Sequence, residues 1–244
     1  MSTLPHLLTP RSALFLDFDG TLTDIASRPD LVVVADELPG LLVQLHQRLG
    51  GALAVITGRA QGDIEPMLEP LQASLPAAYE HGAVRRSANQ ALTLAPAPQL
   101  DRVLAAAQSL ADRHPGLIVE RKRGSVALHF RLAPTLARTC VATMAEVARQ
   151  DNRLQLLHGK AVVEVKSAQV GKDLAIEAFM AEAPFAGRLP VFVGDDVTDE
   201  LAFATVQRMG GDGIKVGLGE TAATHRIDHP AALRQWLQQS LHQL

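Results

Sequence analysis

The chain has 244 residues, 47% of them hydrophobic and 20% charged, which is enough apolar surface for a sizeable core and too much for a disordered chain. Lys+Arg number 23 against 26 Asp+Glu, a net charge of −3, so there is no basic excess to mark nucleic acid as a partner. The lone cysteine, Cys140, excludes an intrachain disulfide.

No apolar run approaches the length of a membrane span. The N-terminal stretch MSTLPHLLTPRSALFLDFDG carries no basic region ahead of its leucines, unlike a cleavable signal. The expectation is a cytoplasmic protein with no membrane and no nucleic-acid partner.

Ala13 to Phe18 is a continuous apolar run ending in carboxylates, the form of a buried parallel strand, and Gly20-Thr21 break it. Glu37 to Leu49 has helical spacing in Leu38, Leu41, Leu42, Leu45 and Leu49, and Gly50-Gly51 stop it. Ala52 to Ile56 reads as a second buried strand, followed by Thr57-Gly58-Arg59; Ile64 to Leu68 reads as a short helix and Ala77 to Tyr79 as a brief strand. This β-α-β-α rhythm belongs to an open α/β sheet.

The middle changes character. Leu117 to Glu120 and Val126 to Phe130 are strands around the hairpin-type loop Arg121 to Ser125; Leu154 to Leu157 and Val162 to Val165 repeat the idea around His158-Gly159-Lys160. Helical stretches at Leu100 to Arg113 and Thr135 to Gln150 precede and separate the pairs. A small α+β module with a largely antiparallel sheet is expected. The first rhythm then resumes: helix Lys172 to Ala181, strand Pro190 to Val193 ending in Gly194-Asp195-Asp196, helix Glu200 to Val206, strand Ile214 to Val216 and helix Ala231 to Leu241. The chain thus reads as a split core, 1–84 and 166–244, with an insertion at 85–165.

In open α/β sheets ligands collect at the carboxyl ends of strands, and the polar clusters of this chain follow strands. Asp17 and Asp19 follow the first, Thr57 the second, and Asp195, Asp196 and Asp199 a late one, while Lys172 opens a helix. Taken singly, Asp-Gly is a common turn and Asp at a helix start a common cap. Jointly they make a different pattern. Aspartates converging on one crevice repel each other, and a hard divalent cation with oxygen ligands removes that cost and attracts a second anion such as phosphate. Thr57 can donate to a phosphoryl oxygen, Lys172 can neutralise its charge and hold a nucleophilic carboxylate, and Gly20 and Thr21 present backbone N–H groups to the anion. The set reads as phosphoryl transfer.

Asp17-Phe18-Asp19-Gly20-Thr21-Leu22, Ile56-Thr57-Gly58-Arg59, Lys172 and Gly194-Asp195-Asp196-Val197-Thr198-Asp199-Glu200 resemble the four motifs of the haloacid dehalogenase-like (HAD) phosphatases. The segments between them are similar to the trehalose-6-phosphate phosphatase branch: Glu80-His81-Gly82, Glu120-Arg121-Lys122 with His129-Phe130-Arg131, and Gly159-Lys160 followed by Glu164. Two positions depart from that pattern, Lys166-Ser167 in place of Arg-Pro and Asp173 in place of Gly after the motif lysine.

The resemblance implies an α/β fold: a Rossmann-like HAD core with an inserted α/β cap carrying the largely antiparallel sheet. It also implies Mg²⁺, an aspartyl-phosphate intermediate and a sugar phosphate as small-molecule partner, with a monomer favoured. By the same resemblance Asp17 is the nucleophile, and Asp19 protonates the leaving oxygen and then activates water. Asp17, the Asp19 carbonyl and Asp195 hold the metal, and Asp196 and Asp199 ligate through water or orient the others. Thr57 and Lys172 hold the phosphoryl group, and Gly20 and Arg59 contact the substrate beside it. Glu80, His81, Gly82, Glu120, Lys122 and Glu164 read the sugar, with His129 and Arg131 as support or contact. Trehalose 6-phosphate is the expected substrate; sucrose 6-phosphate and mannosylglycerate phosphate are the alternatives within the class, and a catalytically silent sugar-phosphate sensor is the alternative outside it.

Overall fold

A computed structural model describes residues 5–26, 28–69, 75–96, 98–159 and 161–244; Lys160, one of the residues of the cap signature, lies outside them. The first elements are β1 (Ser12–Leu16), α1 (Glu37–Arg48), β2 (Leu53–Ile56), α2 (Gln61–Ile64), β3 (Ala77–Tyr79), β4 (Val84–Arg86) and β5 (Leu92–Leu94). The inserted segment contributes α3 (Asp101–Ala111), β6 (Ile118–Arg121), β7 (Ser125–His129), α4 (Ala137–Ala148), β8 (Leu154–Gly159) and β9 (Val162–Ser167). The chain ends with α5 (Lys172–Met180), β10 (Leu189–Gly194), α6 (Glu200–Arg208), β11 (Asp212–Val216), β12 (His225–Ile227) and α7 (Pro230–Gln243).

Every residue of β1 and β2 is buried, as expected of strands covered on both faces. In α1 the buried residues are Leu38, Leu41, Leu42 and Leu45, one stripe at helical spacing, each contributing about 2 kcal/mol of burial. Behind β1 the rings of Phe15, Phe179 and Phe185 pack with centroids 5.1 to 6.0 Å apart. The short helix expected over Ile64 to Leu68 is instead α2 followed by a 3-10 turn at Glu65–Leu68, because Pro66 has no N–H for an α-helical bond.

The first sheet has the order β12-β11-β10-β1-β2-β3-β4-β5. It is parallel from β12 to β3, and β4 returns antiparallel to β3. The chain lays β2 and β3 on one side of β1 and β10, β11 and β12 on the other, so the strand order reverses between β1 and β10. That reversal is where a doubly wound sheet leaves a crevice beyond its carboxyl ends. Leu16 pairs with Val193, and the Asp17 amide donates to the Val193 carbonyl at 2.9 Å. Asp17 and Asp195, each just beyond its strand, therefore emerge side by side.

The second sheet, β6-β7-β9-β8, is antiparallel throughout. Its strands alternate. Val126, Leu128, Val163 and Val165 share a core with Val103, Ala107 and Leu110 of α3 and Cys140, Met144 and Ala148 of α4. The opposite face carries Glu120, Ala127 and Glu164 in direct cross-strand register.

Two units result, Met1–Thr93 with Lys172–Leu244, and Leu94–Gly171. The insertion starts later than residue 85 because Val84–Arg86 pairs with β3 and stays in the first sheet. It ends later than residue 165 because β9 runs on to Ser167 and Lys166 Nζ donates to the Val170 carbonyl. Three short strands, β4, β5 and β12, were not expected. Arg85-Arg86 and His225-Arg226 hide the periodicity of two of them, and β5 is exposed along its whole length. Among the described residues no helix is long and apolar enough to cross a membrane.

Candidate active site

Four segments of the first unit converge where the strand order reverses. Asp17, at the end of β1, is buried, with 4% of its surface exposed. Its Oδ1 accepts from Lys172 Nζ at 2.7 Å and its Oδ2 from Thr21 Oγ1 at 3.2 Å. The first residue of α5 is thereby aimed at the residue that follows β1.

Lys172 Nζ also donates to Asp199 Oδ1 at 2.6 Å. The other oxygen of Asp199 accepts the amides of Asp195 and Asp196 at 2.9 and 3.0 Å. Asp199 is fully buried, and both its oxygens are committed, one to Lys172 at the start of α5 and the other to the loop after β10. Asp196 turns away: its Oδ1 accepts from the Val197 amide and caps the 3-10 turn Val197–Asp199.

Carboxylate oxygens of Asp17, Asp195 and Asp199 lie within 4.8 Å of one another. Burial pushes the Asp17 carboxyl well above its usual range; Lys172 opposes this, while Asp199 and Asp195 add to it. Burial alone would lower the Lys172 ammonium, but Asp17 and Asp199 outweigh it and hold it above its ordinary value. Lys172 alone thus leaves the three carboxylates short of positive charge. An all-oxygen donor set with that deficit fits a hard divalent cation.

The floor of the site requires glycine. Gly20 has φ +81, and a Cβ there would lie 2.2 Å from Asp195 Oδ2. Only a residue without a side chain adopts that backbone and lets Asp195 approach.

Thr57 follows β2 and is buried. Its Oγ1 accepts from the Arg59 amide at 3.1 Å, which leaves the hydroxyl proton to donate to an anion. The Arg59 guanidinium lies 5.8 Å over the Phe18 ring and grips Asp19 in a fork, Nε to Oδ2 and Nη2 to Oδ1, both at 2.7 Å. This pairing was not foreseen from the sequence, which set Arg59 against the substrate. Glu80 and His81, both buried, adopt left-handed φ of 48 and 58, a strained conformation concentrated at functional sites. The amide of Glu80 donates to the Arg59 carbonyl and that of His81 to the Thr57 carbonyl, both at 2.9 Å. A Cβ on Gly58 would sit 2.7 Å from the His81 ring, so the turn through Gly82 and the loop after β2 are fitted to each other.

In the second unit the polar sheet face holds two pairs. His129 Nε2 donates to Glu120 Oε2 at 2.9 Å, and Lys122 Nζ to Glu164 Oε2 at 3.3 Å. The His129 hydrogen bond lowers the Glu120 carboxyl, with help from the charges of Lys122 and His129 and against its partial burial. These four side chains form one cluster.

Sequence reasoning passed over Lys215. It is buried in β11, and its Nζ donates to the Asp195 carbonyl at 2.6 Å. A charged residue between Ile214 and Val216 in a buried strand was the available signal.

The family model for trehalose-phosphatases matches residues 15–232. The chain is 38% identical over 240 residues to the trehalose-6-phosphate phosphatase of Escherichia coli (strain K12), covering 95% of this chain and 87% of that protein. Its fold is similar to the solved C-terminal domain of C. albicans trehalose-6-phosphate phosphatase, with TM-score 0.86, 20% identity and coverage of 96% of this chain and 94% of that one. It is also similar to a haloacid dehalogenase-like hydrolase from B. subtilis, with TM-score 0.68, 15% identity and coverage of 93% and 99%. These last two likenesses establish the HAD fold, a core with an inserted α/β unit.

Proposed function

The chain belongs to the trehalose-phosphatase family and is a phosphoric monoester hydrolase, and from that premise we propose that it hydrolyses trehalose 6-phosphate to trehalose and inorganic phosphate, with Asp17 as nucleophile and Mg²⁺ as cofactor. The observation that carries this reading is the buried cluster of Asp17, Asp195 and Asp199, with the ammonium of Lys172 bonded to Asp17 and Asp199.

Asp17 and Asp195 side chains, with the Asp19 carbonyl, would hold the cation. Asp199 orients them, its own oxygens being engaged, and Asp196 shapes the turn. A bound Mg²⁺ would supply the positive charge that lets the carboxylates ionise together and would neutralise phosphoryl oxygens.

Asp17 attacks phosphorus, forming an Oδ–P bond as the bond from phosphorus to the sugar oxygen breaks. Lys172 and Thr21 fix the direction of its carboxylate. Thr57 donates its hydroxyl to a phosphoryl oxygen, and Lys172 balances the charge. Asp19 gives its proton to the departing sugar oxygen. It then takes one from the water that attacks phosphorus, and the Asp17–phosphorus bond breaks. Arg59 holds Asp19 by both oxygens between these events, so one arm of the fork opens when Asp19 turns to the substrate.

Glu120, Lys122, His129 and Glu164 read sugar hydroxyls, and Glu80, His81 and Gly82 contribute from beside Thr57. A buried polar group left unpaired by a wrong sugar penalises that sugar. The buried lone thiol of Cys140 suits the reducing cytoplasm.

The experiment is phosphate release on a panel of trehalose 6-phosphate, sucrose 6-phosphate, mannosylglycerate phosphate and glucose 6-phosphate with Mg²⁺ and with EDTA. Release confined largely to trehalose 6-phosphate and abolished by EDTA is expected. Equal rates across the panel would refute the substrate, and full activity in EDTA would refute the metal.

A further inference from the structure

Lys215 is a buried ammonium that no catalytic step uses. Its side chain is 5% exposed, and it lies 3.8 Å from Glu200 Oε1. Glu200 is itself turned elsewhere: its Oε2 accepts the Ala222 amide at 2.7 Å and Thr221 Oγ1 at 3.2 Å. The short contact of Lys215 is with a peptide oxygen, the Asp195 carbonyl at 2.6 Å.

That peptide is held from both ends. Its carbonyl takes the Lys215 ammonium, and its N–H, that of Asp196, donates to Asp199 Oδ2 at 3.0 Å. The preceding amide, that of Asp195 itself, donates to the same carboxylate oxygen at 2.9 Å. The Cα of Asp195 therefore sits between two anchored peptide planes, and its carboxylate is packed against Gly20, where a Cβ would lie 2.2 Å from Oδ2. A charge-assisted bond to a buried carbonyl is among the stronger hydrogen bonds, and removing the donor withdraws it from that peptide. The plane is then free to tilt, carrying the side chain with it.

We propose that Lys215 is a positioning residue for the cation-binding carboxylate of Asp195, acting through the Asp195 carbonyl. The inference rests on the divalent-cation reading of the carboxylate cluster.

Charge and position have opposite signs here, which makes the role measurable. Deleting a positive charge near a cation site tightens cation binding on Coulombic grounds. Deleting an outer-shell hydrogen bond that orients a ligand weakens it, typically by 10–100-fold. A loss of affinity on removing Lys215 therefore cannot come from its charge.

The test is calorimetric titration of Mg²⁺ into the purified full chain without substrate, for the unaltered protein and for Lys215→Met, Lys215→Gln and Lys215→Arg. Melting curves in EDTA identify the variants that fold. The expected result is affinity about 10–100-fold weaker in Lys215→Met and weakened in the same direction in Lys215→Gln, with Lys215→Arg regaining most of it. In turnover the Mg²⁺ activation constant should rise alike, while KM for trehalose 6-phosphate at saturating Mg²⁺ changes by less than about twofold. A folded Met or Gln variant that binds Mg²⁺ as tightly as, or more tightly than, the unaltered chain would overturn the inference and leave the cation reading intact. No binding by the unaltered chain would overturn both.

Discussion

Asp199 accepts a hydrogen bond from the Lys172 ammonium at 2.6 Å, so the last acidic residue of the loop after β10 holds the lysine that holds the nucleophile. Its other oxygen gathers the amides of Asp195 and Asp196. Asp199 is therefore the keystone of the loop, and its substitution should cost stability as well as activity. Asp199→Ala leaves a buried ammonium short of a partner and two amides unpaired. The expected loss is about 3–5 kcal/mol in denaturant unfolding, together with loss of phosphate release. A variant with unchanged stability would contradict this role.

The raised pKa of Asp17 fixes a pH dependence. In the metal-free chain the folded state holds a proton that the unfolded chain releases near its ordinary value of about 4. The folded state then binds more protons than the unfolded one, so stability falls as pH rises from that value towards the folded pKa. Asp17→Asn removes the titration. In EDTA, its melting temperature should match that of the unaltered chain near pH 4 and exceed it by a margin that grows as pH rises towards the folded pKa of Asp17. A variant less stable than the unaltered chain at pH 8 would refute the sign.

Gly20→Ala is the smallest change that should disable the site. It adds a Cβ where Asp195 Oδ2 lies 2.2 Å away and puts alanine at φ +81. Strain of about 1–3 kcal/mol and a displaced carboxylate follow, with a fall in kcat of about 100-fold. Melting curves and phosphate release with Mg²⁺ measure the two effects; an alanine variant with unaltered kcat would show that Asp195 need not pack there.

Glu120→Gln tests the sugar assignment without disturbing the core. It keeps the shape and weakens the contact with His129. KM for trehalose 6-phosphate should rise about 10-fold, the loss of one charged hydrogen bond, while turnover of p-nitrophenyl phosphate, which has no sugar, stays unchanged. Equal loss on both substrates would place Glu120 in the support of the sheet instead.

The α/β core with its inserted unit was legible because the parallel strands are near-continuous apolar runs and the hairpin strands alternate. Asp17, Thr57 and Asp195 could be picked out because each closes such a run, and Lys172 because it opens a helix. What the sequence conceals is three-dimensional pairing. Nothing local to Arg59 shows that its guanidinium closes on Asp19, 40 positions away. Nothing local to Asp199 shows that one of its oxygens takes the ammonium of Lys172, 27 positions away, while the other gathers the amides of its own loop. Lys215 was hidden for the opposite reason, since a lone lysine in a strand reads as an edge residue until its neighbour's carbonyl is located. The insertion boundary slipped because β4 carries two arginines, and Arg86 turns inward to Glu65 and the Leu75 carbonyl.

The central claim is that Asp17 takes the phosphoryl group before water releases it. Rapid acid quench of the enzyme turning over trehalose 6-phosphate with Mg²⁺, followed by peptide mass spectrometry, tests it directly. The account predicts a phosphoryl adduct on the peptide bearing Asp17, and neither adduct nor phosphate release from Asp17→Asn. An adduct on a different side chain, or phosphate release by Asp17→Asn at the rate of the unaltered chain, would contradict it.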